Sequence, residues 1–182
     1  MKNSYLALII VLLLFSLAGC GGNNNGTLPT PTNELTQKQV SYLEDLSLTV
    51  DSYEEEPYYS FVLTKDDLLE EYIWKRIFQN LEIFDGVDSS DYIGKTIDCY
   101  MFVVEGHSSA QWGNTNQSTV TILNFNNKII GGFAIPRTKG KGHEHDGPGA
   151  YPLNGELEDF EEMAGMSFSE FDEYWTEKYS VD

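Results

Sequence analysis

The chain has 182 residues, 29 acidic side chains against 11 basic ones, and a formal net charge of −18. A chain this negative is repelled by polyanions, which argues against nucleic acid as a partner and against adsorption to anionic lipid through charge. Residues 34–182 are long enough for one ordinary domain with a real core.

Residues 6–17 are apolar apart from Ser16, and Lys2 places one positive charge ahead of them. A charged start, a short apolar run and small residues at a cut site define a secretory signal. The run is shorter than the about 20 residues that span a bilayer. Leu17-Ala18-Gly19-Cys20 resembles the lipobox of bacterial lipoproteins, which is Leu, a small residue, Gly or Ala, then Cys. The resemblance implies a signal peptide over residues 1–19, cleavage after Gly19, diacylglycerol on the Cys20 thiol and often a further acyl group, such as palmitate, on the new amine. One acyl chain holds a protein weakly and two or more hold it stably. The implied location is therefore a membrane, lipid-anchored and facing outside the cytoplasm. With Gly21 after the cysteine, it would be the outer membrane in a Gram-negative host.

Residues 20–33 supply the lipidated Cys20 and a linker of Gly, Asn, Thr and Pro with one Leu and no charge. Such a stretch is expected to stay disordered and to reach on the order of 20 Å. With Cys20 consumed by lipid, Cys99 has no partner within the chain, and its place in the apolar run of residues 97–104 reads as a buried small hydrophobe.

Thr36 and Gln39 have capping-box spacing, with Leu35 and Val40 at the staple positions, so a first helix is expected from Thr36 to about Leu46. Residues 52–57 are acidic and turn-like; Glu54, Glu55 and Glu56 are consecutive and read as a solvated loop. A short strand is expected over residues 58–63. Thr64 then caps a second helix with Asp66 and Asp67 in its first turn. Leu69, Tyr72, Ile73, Arg76, Ile77, Asn80 and Leu81 form its stripe, and it should end before Asp85-Gly86.

The period then changes. Residues 96–104 read as a strand with Ile97, Cys99, Met101 and Val103 on one side and Tyr100, Phe102 and Val104 on the other. A polar loop over 105–117 holds Gly106, His107, Trp112 and Gly113. Strands at 118–125 and 128–135 flank Asn126-Asn127, a two-residue hairpin turn. That pairing sets Leu123 across from Ile130 and Ile122 across from Gly131, and Gly131-Gly132 suggests a bulge or a close approach. Pro136 ends the strand. A loop over 137–149, basic and then rich in His and Gly, follows, then one or two helical turns at 157–164. Ser167 and Glu170 make a second capping box for a terminal helix carrying Phe168, Phe171, Tyr174 or Trp175, and Tyr179.

This order implies an α+β domain, with an antiparallel meander of three or four strands and helices packed on one face. Gly94-Lys95 before a strand, Lys128 to Gly132 at a hairpin, residues 151–155 and residues 165–171 are similar to small lipoproteins of Firmicutes-type bacteria that carry a domain of unknown function. The resemblance covers about residues 92–175 and bears on location and fold; the His-rich loop departs from it.

Chemistry is densest at Gly142-His143-Glu144-His145-Asp146-Gly147. In an extended loop His143 and His145 project to one side and Asp146 closes a third position, a donor set suited to Zn²⁺, Cu²⁺ or Ni²⁺. It lacks the helical H-E-x-x-H spacing, and Arg137, Lys139 and Lys141 oppose a cation there. His107-Ser108-Ser109 offers a base and hydroxyls, yet neighbours at a strand end rarely face each other, and no G-x-S-x-G elbow is present. Trp112 lies among Gln111, Asn114, Asn116 and Gln117, a composition suited to gripping sugars or peptides. The reading is a non-catalytic, membrane-tethered module for an envelope protein, peptide or cell-wall component, with no cofactor required. A metal-binding lipoprotein using His143, His145 and Asp146 is the alternative, and a hydrolase ranks third.

Overall fold

The computed structural model of the chain describes residue 28, residues 30–139 and residues 149–180. Cys20 and the loop residues His143, His145 and Asp146 lie outside the described residues. Helix α1 spans Glu34–Asp45, and its cap is Asn33, whose side chain accepts from the Thr36 N–H at 2.7 Å. Thr36 and Gln39, expected to form the box, are instead buried on the inner face. The helix closes with Ser47 at a φ of 63°, while the Leu48 N–H bonds back to the Leu43 carbonyl at 3.0 Å.

Strand β1 covers Thr49–Tyr53 and β2 covers Tyr59–Val62. The acidic loop between them is less free than its composition suggests. The Glu55 carboxylate accepts from the Thr32 N–H at 2.6 Å and from the Thr32 hydroxyl and Asn33 amide, which holds it below the usual carboxylate range. The last residues of the expected linker are thereby pinned to the domain.

The expected second helix is two. Helix α2 is Lys65–Leu69, with Thr64 and Asp67 forming a reciprocal capping box, and α3 is Tyr72–Phe84. The break at Glu70-Glu71 resets the helical phase. Tyr72 and Ile73, expected in the buried stripe, are 67% and 63% exposed, while Ile77, Phe78 and Leu81 are buried. Each of these three contributes about 1.5–3 kcal/mol through burial. Gly86, at a φ of 67°, ends α3 where the sequence predicts, with the Val87 N–H on the Leu81 carbonyl at 3.2 Å.

Strands β3 (Thr96–Glu105), β4 (Gln117–Phe125) and β5 (Lys128–Pro136) form the meander. Asn126 and Asn127 turn the hairpin at φ values of 50° and 60°. The register is one residue from the simple pairing. Leu123 faces Gly131 and Ile122 faces Gly132, because Ile130 is extra between Ile129 and Gly131. The bulge brings the Gly131 backbone against α3, where a Cβ would lie 2.3 Å from Leu81 Cδ2. Among the described residues the sheet has six antiparallel strands, in the order β1-β3-β4-β5-β6 with β2 also on β3; β6 is Tyr151–Pro152. Strand β2 falls within the short strand expected over residues 58–63; the additional strands β1 and β6 are short, and β1 buries only Val50.

Alternate residues of β3 sort onto two faces. Ile97 and Cys99 join the core beneath α3, α4 (Phe160–Ala164) and α5 (Phe168–Ser180), with Phe78, Phe171 and Trp175. Tyr100, Phe102 and Val104 join a second core with Val40 and Leu43 of α1. Thus α1 covers the face opposite the other helices. The second capping box is present, with Ser167 and Glu170 bonded in both directions.

Candidate functional site

Strand β2 lies at the sheet margin, paired only with β3 among the described residues. Its burial is shallow, and Tyr58 and Tyr59 are each 47% exposed. The rings form a chain that runs from solvent to the core. Tyr58 and Tyr59 lie 6.5 Å apart between centroids, Tyr59 and Phe61 stack at 5.7 Å, and Phe61 meets Trp74 of α3 at 4.2 Å. Trp74 meets Phe133 edge-on at 6.5 Å. The Tyr58 hydroxyl is anchored 3.3 Å from Thr121 Oγ1. An anchored row of half-exposed rings is a preformed contact surface, since little rotamer freedom remains to be lost on binding. Exposed Glu70 and Glu71 lead into α3, the helix that carries Trp74, while Glu55 and Glu56 of the loop before β2 line a separate cleft with Lys38 and Tyr100.

The opposite end of β3 carries the long loop. Ser108–Trp112 is a short 3₁₀ turn, and Trp112 is 53% exposed. The roots of the two loops named from sequence come together here. The Asn114 amide donates to the Lys139 carbonyl at 3.0 Å while its carbonyl accepts from the Lys139 N–H, and the Thr115 hydroxyl donates to the Arg137 carbonyl at 3.0 Å. A cavity of about 580 Å³ lies beside them, lined by His107, Gln111, Thr115 and Asn116 among others.

His107 and Ser109 do face each other, contrary to the sequence expectation, because the 3₁₀ turn folds the chain back. His107 Nδ1 accepts from the Ser109 N–H at 3.1 Å and lies 2.9 Å from the Ser109 hydroxyl. The other nitrogen, Nε2, must then donate, and it does so to the Pro152 carbonyl at 3.0 Å. Burial holds the imidazole below its ordinary pKa and hence neutral. Ser109 is fully buried and bonds Ser118 at 2.8 Å. A nucleophile must reach substrate, and a general base needs a nitrogen aimed at it. Here the set clasps the loop to β4 and β6.

A third place was not singled out from sequence. Asp85, at the end of α3, takes the Asn154 amide on Oδ1 and lines a cleft of about 440 Å³ with Tyr42, Asp88, Tyr92 and Lys128. Burial pushes the Asp85 carboxyl up to about 6. In the sequence, Asp85-Gly86 marks only a helix end; its neighbours come from α1, β5 and the segment after β6, so no local pattern could reveal it. Among the described residues, no group of three or more His, Cys, Asp or Glu is placed to hold a metal ion. No helix among the described residues is long and apolar enough to cross a membrane.

No protein family, no curated protein and no solved structure matches the chain.

Proposed function

We propose that the chain is an extracytoplasmic lipoprotein, anchored through lipid on Cys20, whose folded domain is a non-catalytic binding module for an envelope protein, peptide or wall component. The observation that carries the binding reading is the anchored aromatic row of Tyr58, Tyr59, Phe61 and Trp74. Rigid amphipathic rings held half in water at a sheet margin suit a contact surface. Trp112, exposed at the other end of the sheet, offers a second contact. The anchor rests on the lipobox resemblance at Leu17 to Cys20, and the linker then holds the domain clear of the lipid.

The test is made in a bacterial host expressing the full chain. Cys20→Ala should move the protein from the membrane fraction to the soluble fraction. A photo-crosslinking residue at position 59 should give a discrete envelope adduct that the same residue on the exposed outer side of α1, at position 41, does not give. Retention of Cys20→Ala in the membrane, or equal labelling from both positions, would overturn the corresponding half of the reading. So would a hydrolytic activity abolished by one point mutation.

A further inference from the structure

Resting on the binding reading above, we infer that the aromatic margin at β2 takes an extended peptide segment rich in Lys or Arg, which adds to the sheet as a further strand. Two independent observations point there. The first is backbone geometry. Strand β2 uses one side for β3, so alternate residues turn their N–H and C=O groups outward, and such an edge is a template for one more strand. Residues that guard an edge are absent from the strand itself: Tyr59–Val62 contains no charge, no Pro and no Gly.

The second is charge set against ring chemistry. Asp51, Glu54, Glu55 and Glu56 precede the strand and Asp66, Asp67, Glu70 and Glu71 follow it, with Lys65 the one basic residue over 51–71. The nearby cations on the helix are already engaged. Lys75 pairs with Asp172 at 2.8 Å, and the Arg76 guanidinium lies 3.7 Å from the Phe168 ring centroid. Lys95 stands by the Leu63 end, where its carbonyl accepts the Leu63 N–H. Glu55 is bound to Thr32 and Asn33, Glu55 and Glu56 line a cleft with Lys38 and Tyr100, and Asp67 caps α2, so the acids set beside the rings are the exposed Glu70 and Glu71, which lead into the helix carrying Trp74. A ring face attracts a cation, Arg most of all, and carboxylates around it add to that attraction. An acidic segment would be repelled by the same surroundings.

The test is calorimetric titration of the full-length chain, purified in detergent, with three synthetic peptides of about six residues, the length of an ordinary strand. One alternates Arg with Thr, one alternates Glu with Thr, and one is the Arg peptide methylated on alternate backbone nitrogens. The Arg peptide should bind, and the other two should bind at least about tenfold more weakly. The exposed pair Glu70→Lys, Glu71→Lys cannot disturb the core and should weaken the Arg peptide several-fold, more at low salt than at high salt. Tyr59→Ala should weaken it about tenfold, while Ser41→Ala, on the exposed outer side of α1, should leave it unchanged. Equal binding of the Arg and Glu peptides, no binding of either, or indifference to both β2-side variants would overturn the inference. Equal binding of the methylated peptide would overturn strand addition. A position-59 adduct that persists alongside such a failure would leave the general binding reading standing and remove only this partner.

Discussion

Gln39 of α1 and Asn124 of β4 meet inside the second core, the Gln39 amide donating to Asn124 Oδ1 at 3.2 Å. Both side chains are buried, and Gln39 Oε1 and Asn124 Nδ2 have no further partner among the described residues. A buried amide that loses its only bond costs about 1–3 kcal/mol, whereas replacing both partners by apolar groups is near neutral. Gln39→Leu alone should therefore destabilise the domain by about that amount. Adding Asn124→Leu should recover most of it. Urea unfolding of the two single variants and the double variant measures the coupling, and strictly additive losses would refute it.

A second long-range bond fixes the terminal helix. The Trp175 indole N–H donates to the Leu68 carbonyl at 2.6 Å, and Trp175 is fully buried. Leu68 lies in α2, so this bond holds α5 to the short helix that follows β2. Trp175→Phe keeps most of the ring but leaves a dry carbonyl unpaired, and should cost about 2–3 kcal/mol in chemical denaturation. A loss no larger than that of an exposed control, Tyr174→Phe, would show that the carbonyl finds another donor.

Much of this fold is legible from local pattern. Alternation gives β3 to β5, Asn126-Asn127 gives their turn, and the capping residues at Thr64 and Ser167 mark helix starts. What escapes depends on distant groups. Thr36 and Gln39 have capping-box spacing, but both are buried, Gln39 against Asn124 of β4, and Asn33 takes the cap. The break at Glu70-Glu71 carries neither Gly nor Pro, so the apolar period runs through it and places Tyr72 and Ile73 in the core, where they are not. The bulge at Ile130 shifts the hairpin register because α3 needs room over Gly131. The aromatic row is hidden for the same reason. Tyr59 and Trp74 belong to different elements and come within 6.5 Å only once β2 pairs with β3.

Glycine 131 separates two kinds of backbone cost. At a φ of 130°, a Cβ there would meet Leu81 Cδ2 at 2.3 Å and Asp85 Oδ2 at 3.0 Å, whereas Gly86 has a φ of 67° and open space. Gly86→Ala carries only the left-handed cost, about 1–2 kcal/mol. Gly131→Ala adds a clash with a packed side chain and should cost about 3 kcal/mol or more. Thermal melts of the two variants should show Gly131→Ala clearly the worse; equal losses would mean that α3 yields easily.

Two buried titrations oppose each other in mild acid. Burial raises the Asp85 carboxyl from 3.8 to about 6, with the Asn154 amide opposing the rise. Tyr42 from α1, Asp88 and Asp91 beyond α3, and Lys128 from β5 surround it in the cleft. The native state thus binds this proton more tightly than the unfolded chain, and stability from Asp85 falls as pH rises from about 4 to about 6. His107 works in the other direction. Its buried imidazole lies below 6.5, so the native state resists protonation and its stability contribution is lost as pH falls beneath that value. Asp85→Asn keeps an oxygen for Asn154 and abolishes only the first effect. Relative to the native sequence, the variant should gain about 1–3 kcal/mol between pH 4 and pH 7. Its remaining slope should carry the sign of His107. Carboxylates held low by their partners, such as Glu55, Asp88 and Asp172, are common to both proteins and cancel in the difference. Urea unfolding of both proteins across this range reads it directly. Parallel curves would show that water reaches Asp85 in the native state and that its carboxyl titrates as an ordinary one.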